Sequence, residues 1–229
     1  MKQLSYEQWF KKRTERIIKI FGSDWFALKN ILELGACHGD IGVELVKLGS
    51  NVLFSDARQE NLNEIYSKLP FKPKTLLLNQ NFSYYLNKKF DLVLHLGLLY
   101  HIENWKNDLR CAMDHSNLMI LETSVNPIRG SDDYFDGMSN YAYEGVNCLH
   151  PVFTQESVEQ ELTDIGCKFF RFDTSELDCD WAWLNSESMI RHVYSWNYDN
   201  YKNYLLEDYR GTNVGKHRVH FRRMWLVIK

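Results

Sequence analysis

An apolar strand that runs directly into a glycine turn is the feature that most constrains how this chain folds. Residues 31–41 read ILELGACHGDI, so a strand leads into Gly35, and Gly39 follows just before Asp40. Because glycine has no Cβ, it adopts positive φ angles readily and lets the backbone approach a ligand closely. The pattern predicts a strand, a tight turn and a helix of an α/β sheet, with a nucleotide-like pocket at the turn.

The residues inside the turn indicate which kind of ligand fits. A dinucleotide-binding turn needs glycines at positions 35, 37 and 40, and this chain has Gly35, Cys37 and Asp40 there. A pyrophosphate at the start of the following helix would be repelled by Asp40. This acid, together with Glu33 two residues before the first glycine, favours a ligand with a cationic end.

Polar residues also end the next predicted strands. A second strand over residues 51–55 ends at Asp56, whose carboxylate is placed to accept the hydroxyls of a ribose. Capping of the helix that begins near Gln59 is the alternative role. A third, buried strand over residues 75–78 is followed by Asn79 and Asn81.

Two further strands complete an alternating pattern of strands and helices. Residues 90–97 read FDLVLHLG and continue as LLYH to His101, which predicts a fourth strand with a glycine and a histidine after it. Residues 118–122, LMILE, predict a fifth strand that ends at Glu122. Between the strands, apolar residues recur at helical spacing.

Together these motifs resemble a known enzyme family. The spacing of Glu33, Gly35 and Gly39 resembles motif I of the class I S-adenosylmethionine-dependent methyltransferases, with Cys37 in place of the usual middle glycine. The run from residue 90 to His101 is similar to the post-strand motif of that family, and locally to its wobble-uridine carboxymethyltransferase branch. The resemblance covers about residues 28–175 and returns at the last strand.

The resemblance implies a fold, a cofactor and a set of contacts. The fold is a Rossmann-like, doubly wound sheet of seven strands, mostly parallel with an antiparallel C-terminal strand, and the cofactor is S-adenosyl-L-methionine. Asn79 or Asn81 would contact the adenine amino group, although simple strand termination explains both amides equally well. The implied cofactor-binding residues are Glu33, Gly35, Ala36, Cys37, Gly39, Asp56, Ala57, Asn79, Asn81, His95 and Gly97.

The length of 229 residues and the hydrophobic content of 45% favour one domain with additions to its core. An N-terminal helical segment, residues 1–27, would either cover the cofactor or pack on the sheet edge, and the cofactor-binding core spans residues 28–175. An aromatic-rich insertion, residues 176–217, precedes the last strand at residues 218–229. Its rings would stack on a sugar or a base, or form a small satellite core or a dimer contact.

Three residues are candidates for catalysis at the substrate end of the pocket. His101 is the first candidate for a base, because it follows the fourth strand and histidine titrates near neutral pH. A histidine that only holds the loop backbone is the alternative. His150 and Glu122 are second candidates for a base or a substrate contact, and Tyr100 is placed to orient the acceptor.

Composition narrows the class of protein. The net charge of -3 and the pI of about 6.2 disfavour a committed nucleic-acid binder. Five cysteines without a Cys-x-x-Cys pair favour reduced thiols and predict no metal site. The sequence has no apolar run of membrane-spanning length and no signal-like start, so we expect a cytoplasmic protein without a membrane partner.

The leading functional prediction is O-methylation of a small hydroxylated molecule or a sugar, because the insertion is aromatic and the chain is not basic. A methyltransferase that modifies tRNA or another RNA is the first alternative. A cofactor-binding module without catalysis is the second. The oligomeric state is left open.

Overall fold

The computed structural model of the chain describes residues 6–126, 134–138, 149–182, 189–194 and 217–229. The helices are α1 (Tyr6–Phe21), α2 (Asp40–Lys47), α3 (Gln59–Lys68), α4 (Trp105–His115) and α5 (Gln155–Asp164). The strands are β1 (Asn30–Leu34), β2 (Asn51–Asp56), β3 (Lys74–Leu77), β4 (Leu92–Leu96), β5 (Leu118–Ser124), β6 (Tyr134–Met138), β7 (Leu149–Val152), β8 (Lys168–Phe172), β9 (Cys179–Ala182), β10 (Met189–Val193) and β11 (His217–Ile228).

Seven strands form the core of one sheet in the order β3-β2-β1-β4-β5-β11-β8. The first five of these strands pair in parallel. The C-terminal part of β11 runs antiparallel to both β5 and β8. The strand order reverses between β1 and β4, which is where open α/β sheets leave a crevice for a ligand at the carboxyl ends of the strands. The predicted seven-stranded, mostly parallel sheet is confirmed.

The segment before the last strand adds two strands to this sheet. β10 pairs in parallel with the first part of β11, and β9 pairs antiparallel with β10. Sequence analysis predicted an aromatic-rich insertion here but not these strands. Most of the aromatic residues of the insertion lie outside the described residues, and Tyr194, directly after β10, is fully buried.

Helices cover both faces of the sheet. One hydrophobic cluster joins the sheet to α1, α2 and α3 through residues such as Ile17, Leu45 and Ile65. A second cluster joins the opposite face to α4 and α5 through residues such as Leu109 and Leu162. Apolar residues spaced three and four apart place one stripe of each helix against the sheet, as expected for amphipathic helices.

The third strand differs from its prediction. Residues 75–78 were expected to be buried, but Leu77 is 57% exposed and Thr75 and Leu76 are half-buried. β3 ends the strand order and pairs with β2 alone. Sequence hydrophobicity does not distinguish such an edge strand from an interior one, since both are rich in leucine and threonine.

Candidate functional site

The glycine turn after β1 takes the conformation that its sequence predicts. Gly35 and Gly39 have φ angles of 60° and 68°, in the left-handed region that glycine adopts without steric cost. Cys37 has a φ of 50° although it carries a Cβ. Gly39 is the N-cap of α2. A Cβ at this position would lie only 2.9 Å from Ile65 Cγ1, so the absence of a side chain makes room for Ile65.

Asp56 ties this turn to the start of the next helix. Its Oδ2 accepts a hydrogen bond from the backbone N–H of Cys37 at 2.8 Å. Its Oδ1 accepts from the backbone N–H of Arg58 at 2.9 Å and from Asn61 Nδ2 at 3.0 Å. Asp56 therefore holds residues at the start of α3 and also faces the turn, but it is not the N-cap of that helix, which is Arg58 and has no side-chain cap. A carboxylate oxygen accepts two hydrogen bonds, so Oδ2 has room for one ribose hydroxyl rather than two.

Glu33 lies beneath the turn and is buried, with 5% of its surface exposed. Its Oε2 has no hydrogen-bond partner among the described residues. Burial raises the pKa of this carboxyl from 4.5 to about 8. The Gly42 N–H and the charge of Arg13 oppose this rise in pKa, while Asp40 and Asp56 add to it. The carboxyl is therefore mostly protonated at neutral pH.

Gly42 in α2 leaves the space that Glu33 occupies. An alanine Cβ at Gly42 would lie 2.2 Å from Glu33 Oε2 and 2.5 Å from Phe54 Cε1. We expect Gly42→Ala to lower the free energy of unfolding by about 1–3 kcal/mol, the usual cost of overpacking, even though alanine is the better helix former by about 1 kcal/mol. Chemical denaturation measures the change.

The matched control for this substitution is Glu44→Ala on the exposed face of the same helix. It should change the free energy of unfolding by no more than about 0.5 kcal/mol. A Gly42→Ala variant as stable as the wild type would show that the space beside Glu33 is not needed.

The surroundings of Cys37 disfavour the thiolate form of its side chain. Burial raises its pKa from 9.0 to about 12, and the negative charge of Asp56 adds to the effect. Because only the thiolate is nucleophilic, we expect iodoacetamide at pH 8 to alkylate Cys37 about 1,000-fold more slowly than a thiol of pKa 9. Peptide mass spectrometry of the folded protein, with free cysteine as the reference, measures this rate. Alkylation at the reference rate would contradict the assignment.

The polar residues after β3 reach the same turn. With its amide oriented to satisfy both atoms, Gln80 donates to the Leu78 carbonyl at 3.1 Å and accepts from the Gly35 N–H at 3.3 Å. Asn79 accepts from the Asn81 N–H at 3.0 Å, and Asn81 accepts from the Glu103 N–H at 2.9 Å. Sequence analysis named the two asparagines and missed Gln80, whose place between them was the available signal.

Two alanines line the same edge of the sheet. Ala36 is buried, and its N–H donates to the carbonyl of Ser55 at 2.8 Å, which joins the turn to β2. Ala57 follows Asp56 and is half-buried. The backbone around both residues therefore lies beside the groups predicted to bind the cofactor.

His95 is placed differently from its prediction. Its side chain is fully buried and its Nε2 lies 2.6 Å from Asp108 Oδ2 in α4. Val93 belongs to the cluster on the α4 face, and residues two apart in a strand share a face. The side chain of His95 therefore points into the core beneath α4, and only its backbone lies at the cofactor edge.

Glu122 sits between two arginines. Its carboxylate pairs with Arg13 of α1 and with Arg222 of β11, whose Nη1 lies 2.9 Å from Oε1. Arg222 Nη2 also donates to the hydroxyl of Tyr100 at 3.0 Å. Burial alone would raise the pKa of Glu122, but the two guanidinium charges outweigh it and hold the pKa below its ordinary value. A carboxylate so stabilised is a poor proton acceptor, so this geometry favours the histidine candidates over Glu122 as the base.

The ring of Trp9 completes this buried cluster. The guanidinium carbons of Arg13 and Arg222 lie 4.4 Å and 5.2 Å from its centroid. Trp9 Nε1 donates to the Tyr194 hydroxyl at 3.1 Å. A Cβ at Gly97, in the turn after β4, would lie 3.6 Å from both guanidinium groups. The N-terminal helix and the insertion therefore both reach the predicted substrate end of the crevice.

His101 belongs to the turn Leu99–His101 behind β4. It is half-buried, and its ring lies 4.1 Å from that of Tyr100, centroid to centroid. β7, which contains His150, packs against this turn. The side chain of His150 lies outside the described residues.

The described residues hold neither a metal-binding cluster nor a membrane-spanning helix. They contain no group of three or more histidine, cysteine or acidic side chains arranged to hold a metal ion. They also contain no helix with the length and hydrophobicity needed to cross a bilayer.

Comparisons with known proteins show the fold. No protein-family model and no curated protein matches the chain. The N-terminal domain of EvdMO1, crystallised in the presence of SAH and D-fucose, is similar with a TM-score of 0.62 and 16% identity, over 97% of this chain and 83% of that one. A putative S-adenosylmethionine-dependent methyltransferase from Listeria monocytogenes is similar with a TM-score of 0.60 and 12% identity, over 94% and 98%.

A third solved structure has the same architecture. It is the 1,6-didemethyltoxoflavin-N1-methyltransferase of Burkholderia thailandensis with bound 1,6-didemethyltoxoflavin and S-adenosylhomocysteine. The TM-score is 0.56 at 13% identity, over 98% of this chain and 80% of that one. The chain therefore has the fold of the class I methyltransferases.

Proposed function

We propose that this chain is an S-adenosylmethionine-dependent methyltransferase. The observation that carries the proposal is the left-handed glycine turn at the strand-order reversal, with the buried carboxyl group of Glu33 on β1 beneath it and that of Asp56 bonded to it. The three solved structures support the cofactor, since their names include S-adenosylmethionine, SAH or S-adenosylhomocysteine. The turn does not suit a dinucleotide, because Cys37 and Asp40 stand where the dinucleotide-binding pattern needs glycine.

The residues around the turn fit this cofactor. Glu33 Oε2 lacks a donor, which a cationic group of the cofactor supplies, and Asp56 Oδ2 has a free acceptor position for a ribose hydroxyl. The remaining proposed contacts, through backbone or side chain, are Gly35, Ala36, Cys37, Gly39, Ala57, Asn79, Asn81 and Gly97. We add Gln80 to this proposal because its side chain accepts from the Gly35 N–H. For His95 we propose a backbone contact only. When bound, the cofactor supplies an electrophilic methyl group on a sulfonium.

The chain's own residues then orient the acceptor and remove its proton. We propose a small hydroxylated molecule or a sugar as acceptor, methylated on oxygen. His101, beside Tyr100 on the turn after β4, is the proposed base. Glu122 is less suited, because its ion pairs with two arginines make its carboxylate a poor proton acceptor. His150 remains a second candidate, since its strand packs against the same turn. The N-terminal domain of EvdMO1 was crystallised in the presence of D-fucose, which favours a sugar as acceptor.

RNA modification is the second candidate function. It is favoured because residues 97–101 are similar to the wobble-uridine carboxymethyltransferase branch, whereas the solved structures lend that branch no support. A cofactor-binding module without catalysis would share the same turn. Free thiols at Cys37, Cys111 and Cys167 favour a reducing compartment, which supports a cytoplasmic location.

Methyl transfer from labelled S-adenosylmethionine tests these candidates. The protein is incubated with the labelled cofactor and, separately, with pooled small metabolites, free glycans and unmodified tRNA. Label in the metabolite or glycan fraction is the expected result. Label in the tRNA fraction would overturn the small-molecule acceptor, and saturable binding without transfer to any fraction would favour the non-catalytic module.

A further inference from the structure

The carboxyl of Glu33 is enclosed by the protein and lacks one donor. It lies on β1 beneath the glycine turn, and Gly42 of α2 leaves just enough room for it. Its Oε2 is buried and has no partner among the described residues. Buried polar atoms are normally hydrogen-bonded. Because Glu33 Oε2 lies near the edge of the sheet where the cofactor is predicted to bind, we expect a group of the ligand to supply the missing donor.

We propose that binding of the cofactor releases one proton from Glu33, whose carboxyl is neutral in the free chain and ionised beside the bound cation. This inference rests on the proposed function. The O–H bond of the carboxyl breaks, the proton leaves to solvent, and the carboxylate pairs with the positive charge of the cofactor.

The charges that face Glu33 favour the neutral form before binding. Asp40 on α2 and Asp56 on β2 are acidic, and Arg13 on α1 is the opposing cation. Asp40 is paired with Lys68 of α3, which reduces its effect.

The remaining neighbours of Glu33 do not reverse this balance. Arg13 already pairs with Glu122, and the residue paired with Glu33 on β4, Leu94, is apolar. Desolvation then dominates, and it raises the pKa of Glu33 to about 8. A cation placed against a desolvated carboxyl reverses this preference, because an opposite charge within a few ångströms favours ionisation.

Isothermal titration calorimetry in buffers of different ionisation enthalpy counts the protons released. For S-adenosylmethionine at pH 7 we expect the wild type to release about 0.5 to 1 proton more than Glu33→Gln, as a group with a pKa near 8 would. The difference should vanish above about pH 9.5, where Glu33 is already ionised. Below pH 8 the affinity of the wild type for S-adenosylmethionine should increase as the pH increases, by up to about tenfold per pH unit.

Glu44→Gln, on the exposed face of α2, is the matched control and should release as many protons as the wild type. Equal release by wild type and Glu33→Gln would overturn the proposal. If Glu33→Gln does not fold, infrared difference spectroscopy of the wild type decides. Loss of a protonated carboxylic acid band on binding supports the proposal, and an unchanged band overturns it. Absence of saturable binding by the wild type would instead reject the proposed function and this inference with it.

Discussion

Asp56→Ala is expected to weaken S-adenosylmethionine binding about 10- to 150-fold while the protein stays folded. The substitution removes the proposed contact to a ribose hydroxyl, and it also removes the acceptor of the Cys37 N–H, a bond that the free chain already makes. A hydrogen bond to a charged group contributes roughly 1.5–3 kcal/mol, and the loss of the ribose contact alone accounts for a factor of this size. Loss of the bonds from Arg58 and Asn61 also loosens the start of α3. Titration calorimetry measures the affinity.

Asp91→Ala is the matched control. Asp91 accepts the N–H of Asn30 at 2.8 Å, so it is also a carboxylate bonded to backbone, but it lies at the start of β1 and β4 rather than at their carboxyl ends. We expect the affinity of this variant to stay near that of the wild type. An Asp56→Ala variant that folds and binds the cofactor like the wild type would remove Asp56 from the site.

Replacing Glu122 with leucine is expected to cost about 3–5 kcal/mol of folding free energy, because two guanidinium groups would remain buried without their carboxylate. Arg13 is 2% exposed and Arg222 is 4% exposed, so neither reaches water easily. Replacing all three members, as Arg13→Met, Glu122→Leu and Arg222→Met, should restore most of the loss, since apolar groups of similar volume need no counter-charge. Urea denaturation measures both variants.

The same cluster sets a pH dependence. The pKa of Glu122 is lowered in the folded state from an ordinary value of 4.5, so its contribution is complete above about pH 4.5 and declines as the pH falls through the lower, folded value. The difference in stability between wild type and Glu122→Leu should therefore shrink in acid. A difference that stays constant from pH 7 to pH 3 would contradict the ionised pair.

The elements that sequence analysis predicted well depend on local patterns. The turn at Gly35 and Gly39 needs positive φ angles, and glycines at that spacing after an apolar strand are a local signal. A threonine directly before an apolar helical stripe, as at Thr154, is a local signal of the same kind, and its side chain accepts from the Ser157 N–H. The mostly parallel sheet agrees with the alternation of predicted strands and helices, which leaves few topologies.

The residues that sequence analysis placed poorly depend on distant partners or on the face of a strand. Glu122 pairs with Arg13 and Arg222, which lie 109 and 100 residues away in the sequence. No local sequence pattern therefore indicates that two guanidinium groups surround its carboxylate. His95 could not be assigned a face until the register of β4 was known, and a shift of one residue exchanges the two faces. β9 and β10 join the sheet because β11 extends beyond β5, and β10 pairs with this extension.

Equilibrium binding of labelled S-adenosylmethionine to the full chain tests the central claim most directly. The account predicts saturable binding of one cofactor per chain, displaced by S-adenosylhomocysteine and not by a nicotinamide dinucleotide. Displacement by the dinucleotide, or no saturable binding at all, would contradict it.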